Sequence, residues 1–284
     1  MYSVSERLRA AVAVLAIGLA AGAPAAVVDR PAASPAPLRV CADPNNMPFS
    51  NDAGQGFENA IARLLADDLQ RPLAYAWWPQ RRGFIRQTLK AHRCDVVIGV
   101  PDHYGLVRTT RPYYRSSYVF ITRRADHLDI DDIADPRLRT LRIGVHAIGD
   151  DYANVPPAIA LARRGVIDNI RGYSIYGDYS KPEPTRSLID AVDDGQIDVA
   201  IAWGPLAGYF VQHEPRPLAM QPVQGENDPA LAMSYAIAMG VRKDDAAMQR
   251  TLDGFIARRH ADIDRVLDRF GVPRLPVQSN DGGP

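Results

Sequence analysis

Two short stretches constrain the fold of this chain more than any other feature. CDVVIGVP at 94–101 and IDVAIAWGP at 197–205 are runs of small and β-branched residues with little polar interruption, each broken by Gly or Pro. A run buried on both faces belongs in the middle of a parallel sheet covered by helices. Each run is the third strand of its own alternation. In the first, LRVCAD, PLAYAWW and CDVVIGV read as strands, and GFENAIARLLADDL and GFIRQTLKAHR read as the helices between them. Phe57, Ile61, Leu64 and Leu65 form one apolar stripe on the first helix. In the second, LRIGV, RGYSIY and IDVAIAW are strands, with PPAIALARRG and PTRSLIDAVDDG as helices. Pro in the first turn and Gly at the end frame PPAIALARRG as a helix. Two βαβαβ units result, hence an α/β fold with two sheets. TRPYYRSSYVFITRR, between the units, is long, extended and aromatic. After them SYAIAMGVRK is a strand, and Met248, Leu252, Phe255, Ile256, Ile263, Val266, Leu267 and Phe270 mark a helix with a break near His260.

The 284 residues, 46% of them hydrophobic, supply cores for one large or two medium domains. The formal net charge is zero, so bulk charge gives no reason to expect nucleic acid or an anionic membrane surface. Residues 1–25 differ from the rest. Arg7 and Arg9 precede AAVAVLAIGLAAG, and Ala23-Pro24-Ala25 offers small residues for cleavage, as in an export signal. The run is short and Ala-rich for a membrane anchor. Export with cleavage near Ala25 is expected, with residues 26–37 a flexible leader and no membrane insertion. Cys41 and Cys94 are the two cysteines. An even count in an oxidising compartment favours a disulfide, whereas a place in or beside neighbouring parallel strands disfavours its geometry. The six His show no ligand spacing and there is no CxxC, so no metal is expected. GxSxG, HExxH, Walker and GxGxxG motifs are absent, so neither catalytic residues nor a cofactor required for catalysis is expected.

Ligands of open α/β sheets bind at the carboxyl ends of the strands. If the two units face each other, both sets of ends line one cleft. Asn45, Asn46 and Phe49 follow the first strand, offering amides and an apolar wall. Trp78, Gln80, Arg81 and Arg82 follow the second. Two cations opening a helix conflict with its dipole, and an anion held there would resolve the conflict; otherwise one arginine lies in solvent and the other pairs within its own lobe. His103 follows the third strand. On the crossing strand, alternation divides Arg111, Tyr113, Tyr114 and Arg115 between core and cleft, with Arg111 or Arg115 a second anion clamp. In the second unit the positions are His146, Gly149 and Asp150, then Tyr176, Gly177, Asp178 and Tyr179, then Trp203 and Gly204. His146 is either a charge switch or a structural histidine. Trp203 either stacks on an aromatic ligand or plugs a core, and Gly204 would let a ligand approach the backbone. Arg, Tyr and Trp together suit a flat aromatic polyanion.

CADPNNMPFSN, GFENAIARLLADDL, WWPQRRGFIRQTLKAHRCDVVIGVP, TTRPYYRSSYVF, RTLRIGVHAIGDDYANVPPAIALARRG, GYSIYGDYS and VAIAWGPLAGYF are long, collinear motifs. Together they resemble the quinoprotein-dehydrogenase-associated solute-binding proteins. That branch of the type II periplasmic binding proteins includes the J proteins of methanol-oxidation operons and a receptor for pyrroloquinoline quinone. The resemblance runs from 38 to about 273. It implies a bilobal periplasmic monomer of two open mixed sheets joined by a two-strand hinge, with lobe 1 at 38–121 and 227–284 and lobe 2 at 122–226. It also implies a small-molecule ligand, pyrroloquinoline quinone, bound by hinge closure for an ABC permease or for cofactor handling. The alternative it implies is an accessory protein that docks on a periplasmic quinoprotein (methanol or alcohol) dehydrogenase, with a wide cleft and a large apolar patch. Amino-acid receptors of the superfamily carry an Arg where this chain has His103 and an acid where it has Trp203. An α-amino acid would leave its charges unpaired here and is not expected.

Overall fold

The computed structural model describes residues 35–148, 153–174, 179 and 182–276. The first alternation gives β1 (Leu38–Ala42), a hairpin of β2 (Asn45–Asn46) and β3 (Ser50–Asn51), α1 (Phe57–Asp68), β4 (Leu73–Trp77), α2 (Phe84–Gln87) and β5 (Val96–Pro101). A short β6 (Arg108–Thr109) precedes the ten-residue crossing strand β7 (Tyr114–Arg123). The second alternation gives β8 (Ile143–Ile148), β9 (Ala153–Asn154), α3 (Pro156–Arg163), β10 (Ile170–Ser174), α4 (Ser187–Asp193) and β11 (Val199–Trp203). The chain continues through α5 (Gly204–His213), β12 (Leu218–Pro222), β13 (Ser234–Val241) and α6 (Ala246–Arg269).

The strands follow the order β10-β8-β11-β7-β13-β5-β1-β4. β1 lies parallel between β4 and β5, and β8 lies parallel between β10 and β11. The two mixed sheets are continuous through β7. Its Tyr114–Ser117 half pairs antiparallel with β13, and its Tyr118–Arg123 half pairs antiparallel with β11 and β12. The chain crosses back between β12 and β13. This is the α/β periplasmic binding protein fold that the motifs imply.

Three segments depart from the sequence reading. The helix expected over 83–93 is one turn. Gly83 enters it left-handed (φ 92), Thr88 leaves it at φ −115 and ψ −82, and the Phe84 carbonyl accepts from both the Thr88 amide and the Thr88 hydroxyl where the helix ends. Gly204-Pro205, read as a break, opens α5, since Pro has no N–H to lose in a first turn. β12 carries too weak an alternation to have been read as a strand. The expected break in the last helix is present, at Arg259 (φ −108, ψ 17).

α1 and α6 cover one face of the first sheet, with Phe57, Ile61 and Leu65 meeting Val40, Val96, Leu252 and Phe255. On the opposite face Phe84, Ile85 and Leu89 pack on Val97, Val100 and Val107, beside a disulfide between Cys41 and Cys94 whose Cα atoms are 5.4 Å apart. Cys94 sits in the turn before β5, so the bridge does not join two parallel strands. Ile143, Val145, Leu161 and Val199 fill one face of the second sheet, and Leu188, Ile189, Ala202 and Phe210 fill the other. No helix among the described residues is long and apolar enough to cross a membrane.

Candidate functional site

Asp43 follows β1 immediately and is 2% exposed. A buried carboxylate needs several donors. Its Oδ1 accepts from the Asn45 amide at 2.8 Å, and its Oδ2 accepts from the Gln80 amide at 2.6 Å and from the Tyr179 hydroxyl at 2.7 Å. Asn46 donates to the Gln80 side chain at 3.2 Å. Tyr179 comes after β10, in the second half of the molecule, so its hydroxyl reaches across to the first. The Arg81 guanidinium lies over its ring at 5.2 Å. Burial and the Asp43 carboxylate both push the Tyr179 hydroxyl up, keeping it a donor.

The β2–β3 hairpin makes a second cross-contact. Met47, at its turn, is 5% exposed and sits among Leu188, Ile189, Leu206 and Phe210 of the second half. The Met47 carbonyl accepts from the Thr185 hydroxyl at 2.8 Å. Phe49 packs against the cores of both halves and lies 5.2 Å from Phe57. The hairpin therefore acts as a clasp between the lobes.

Glu58, in the first turn of α1, is buried, and a Cβ at Gly99 would run into its Oε1. Burial first, and the charge of Asp43 second, raise its pKa from the ordinary 4.5 to about 8. The unfolded chain gives up this proton near pH 4.5, while the folded chain keeps it until about pH 8. The associated stability is whole below the lower value and declines, by up to about 1.4 kcal/mol per pH unit, as pH rises towards the upper one. Urea titrations at pH 5 and pH 8 should show wild type losing more stability than Glu58→Gln. Equal losses would mean that Glu58 is ionised in the folded protein.

Other expected positions are distributed differently. Trp203 is half-buried at the end of β11, edge-on to Tyr118 at 5.4 Å and to Tyr235 at 5.9 Å, and packs on the first core. A Cβ at Gly204 would lie 2.6 Å from the Ser117 carbonyl oxygen and 2.7 Å from Pro273 Cγ, so the chain's own backbone uses that space. A Cβ at Gly208 would run into the Gly271 carbonyl. Tyr113 is buried in the first core and its hydroxyl donates to the Ile98 carbonyl at 3.0 Å; Tyr114 is buried beside it. Arg111 is turned to α6, where its amide donates to Asp253 at 2.7 Å. Arg115 donates to the Ser234 hydroxyl at 2.7 Å. His103 is exposed, 3.4 Å from Asp102. Trp78 lies under the Arg93 guanidinium at 5.3 Å, and Arg82 is exposed. His146 is 3% exposed, its pKa lowered to about 4 by burial against an opposing bond to the Thr185 backbone, and its Nε2 has no partner among the described residues. Gly149, Asp150, Tyr176, Gly177 and Asp178 lie outside the described residues, as do 1–34.

Of the expected positions, Asn45, Asn46, Phe49, Gln80 and Arg81 come together, with His146 reached through Thr185. Arg111, Tyr113, Arg115, His103 and Trp78 do not join them. Asp43, Met47, Glu58 and Thr185 complete the cluster and were not singled out from the sequence, whereas the sequence places Tyr179 there as a residue following the second strand of the second unit. Asp43 was accessible to the carboxyl-edge rule, one residue past its strand. No group of three or more His, Cys, Asp or Glu among the described residues could hold a metal ion.

Two mixed sheets sharing a strand, with the cluster above at their facing carboxyl edges, define a solute-binding fold. The chain belongs to the bacterial extracellular solute-binding proteins, family 3, whose profile matches residues 38–272. It is 33% identical over 256 residues to Protein MoxJ of Methylorubrum extorquens, covering 85% of this chain and 83% of that one. It is 30% identical over 267 residues to Protein MoxJ of Paracoccus denitrificans, covering 90% and 96%. The crystal structure of periplasmic binding protein XoxJ from Methylobacterium extorquens AM1 superposes with a TM-score of 0.70 at 35% identity, over 84% of this chain and 100% of that one. These similarities bear out the resemblance drawn from the motifs.

Proposed function

We propose that this protein is a periplasmic accessory protein of methanol oxidation, which keeps the solute-binding fold but holds its lobes clasped. It docks on a periplasmic quinoprotein dehydrogenase, delivers no solute to a permease and catalyses no reaction itself. The seating of Met47 in the core of the opposite lobe carries this reading. Ligand-driven closure needs an open state, and opening would expose Met47 at about 1.5–3 kcal/mol. Losing the Tyr179–Asp43 bond would add about 1.5–3 kcal/mol. Arg115 is engaged by the Ser234 hydroxyl, and the exposed Arg111 side chain lies on the α6 side with its Nε 3.9 Å from Asp253, which argues against a second anion clamp in the cleft. The similarity to MoxJ proteins supports the same reading. Clasped lobes replace the wide cleft expected of an accessory protein, and Tyr104, Leu106 and Ile167 are the large apolar side chains exposed among the described residues. Recognition would therefore be mainly polar.

A pyrroloquinoline quinone receptor is the second reading, favoured by exposed Arg81 over the Tyr179 ring, where a flat carboxylated ligand could pair and stack. One pair of measurements separates them. Calorimetry and small-angle scattering with excess pyrroloquinoline quinone should give no binding heat and no change in radius of gyration. Saturable heat with compaction would replace the accessory role with the receptor role. Sedimentation with the purified quinoprotein dehydrogenase should show a complex, and failure to form one would remove the accessory role.

A further inference from the structure

The chain balances 33 Lys and Arg against 33 Asp and Glu, but the balance is not local. Between Asp68 and Asp95 there is no acidic residue, and six cations fall there: Arg71, Arg81, Arg82, Arg86, Lys90 and Arg93. Elsewhere many arginines are matched to carboxylates, as in Arg39–Asp95, Arg142–Asp198, Arg163–Asp228, Arg186–Glu214, Arg258–Asp68 and Arg274–Asp268. Arg81, Arg86, Lys90 and Arg93 are exposed and have no carboxylate partner among the described residues. The segment cannot turn them inward. Its underside, Phe84, Ile85 and Leu89, is buried, and the Cys94 disulfide pins its end. A fixed cap of like charges carries a repulsion that an oppositely charged surface would relieve.

The neighbouring loop between β5 and β6 adds an apolar edge. Tyr104 is 37% and Leu106 45% exposed. Leu106 borders a concavity of about 200 Å³ together with Lys90, His92 and Lys243, and with Asp244 as its acid. A small apolar dent rimmed by cations is the form of a protein interface with a polar rim.

We propose that this cap and loop are a docking face for the acidic surface of another protein. The proposal rests on the accessory reading and names the side of the molecule that meets the dehydrogenase. An anionic lipid surface fits less well, because α2 is one turn long and offers no amphipathic helix to enter an acyl layer.

The lysines make the test specific. The chain has three, Lys90, Lys181 and Lys243, and two of them border the concavity. A carbodiimide joins lysine amines directly to carboxylates. Applied to the complex with the quinoprotein dehydrogenase, it should yield peptides linking Lys90 or Lys243 to Asp or Glu of the partner. The variant Arg86→Glu/Lys90→Glu/Arg93→Glu, checked for an unchanged urea midpoint, should bind at least about tenfold more weakly. Wild-type affinity should fall as salt rises. A complex that forms equally with the variant, or that links only through Lys181, overturns the docking face while leaving the accessory role standing. Absence of any complex with wild type overturns both. Binding to phosphatidylglycerol vesicles, lost in the variant, with no complex formed by the dehydrogenase, would assign the face to lipid and overturn the proposal.

Discussion

Cys41→Ser/Cys94→Ser, or reduction of the wild-type bridge, should cost the folded state about 4 kcal/mol on chain-entropy grounds for a crosslink spanning 53 residues. That is a large share of the stability of about 5–15 kcal/mol expected of a domain. Both sulfurs are buried in the small cluster with Phe84, Ile85 and Leu89, which has no long helix over it and depends on the bridge for its closure. The loss should therefore be felt first by the cationic cap, with amide exchange rising across 84–94 before it rises in α1 or α6. Urea midpoints with and without reductant measure the total. Coincident midpoints would show that the bridge contributes nothing to the native fold.

Met47→Ala should lower stability by about 2–5 kcal/mol, the range for truncating a buried Met, and should also change shape. The side chain fills a hole in the opposite lobe, so its removal loosens the clasp as well as the packing. Phe255→Ala is a fitting control, since that ring is buried within the first core. Small-angle scattering should show a larger radius of gyration for Met47→Ala and not for Phe255→Ala. If Met47→Ala is too unstable to measure, Thr185→Val removes the bond to the Met47 carbonyl while keeping the volume of this buried side chain and should shift the scattering the same way. A wild-type profile for both clasp variants would mean that the lobes are held elsewhere, for instance where α5 abuts Gly271 and Pro273.

The sheets were legible because two-sided burial leaves no polar face. Val96 to Val100 and Val199 to Ala202 can belong to little else. The one-turn α2 was not legible, because a helical spacing of Phe84, Ile85 and Leu89 survives even where Thr88 diverts the backbone. The carboxyl-edge rule placed Asn45, Gln80 and Arg81 beside the cleft. It could not say that the Arg111 backbone amide would bond Asp253 on α6, because the acid lies 142 residues away and no local pattern records it. Met47 is the harder case. A methionine in a polar turn looks like loop, and the core it joins, with Leu188 and Phe210, belongs to another lobe. Function sits largely in such distant pairings, which is why the frame was readable and the cluster within it only in part.

β13 and α6, at the far end of the chain, complete the sheet and core that β1 and α1 begin. A chain emerging amino end first cannot finish its opening domain until β13 and α6 are free. Completion of the first lobe must therefore be a late event, dominated by contacts between distant parts of the sequence. Until then the polypeptide stays unfinished enough to be threaded through a narrow pore.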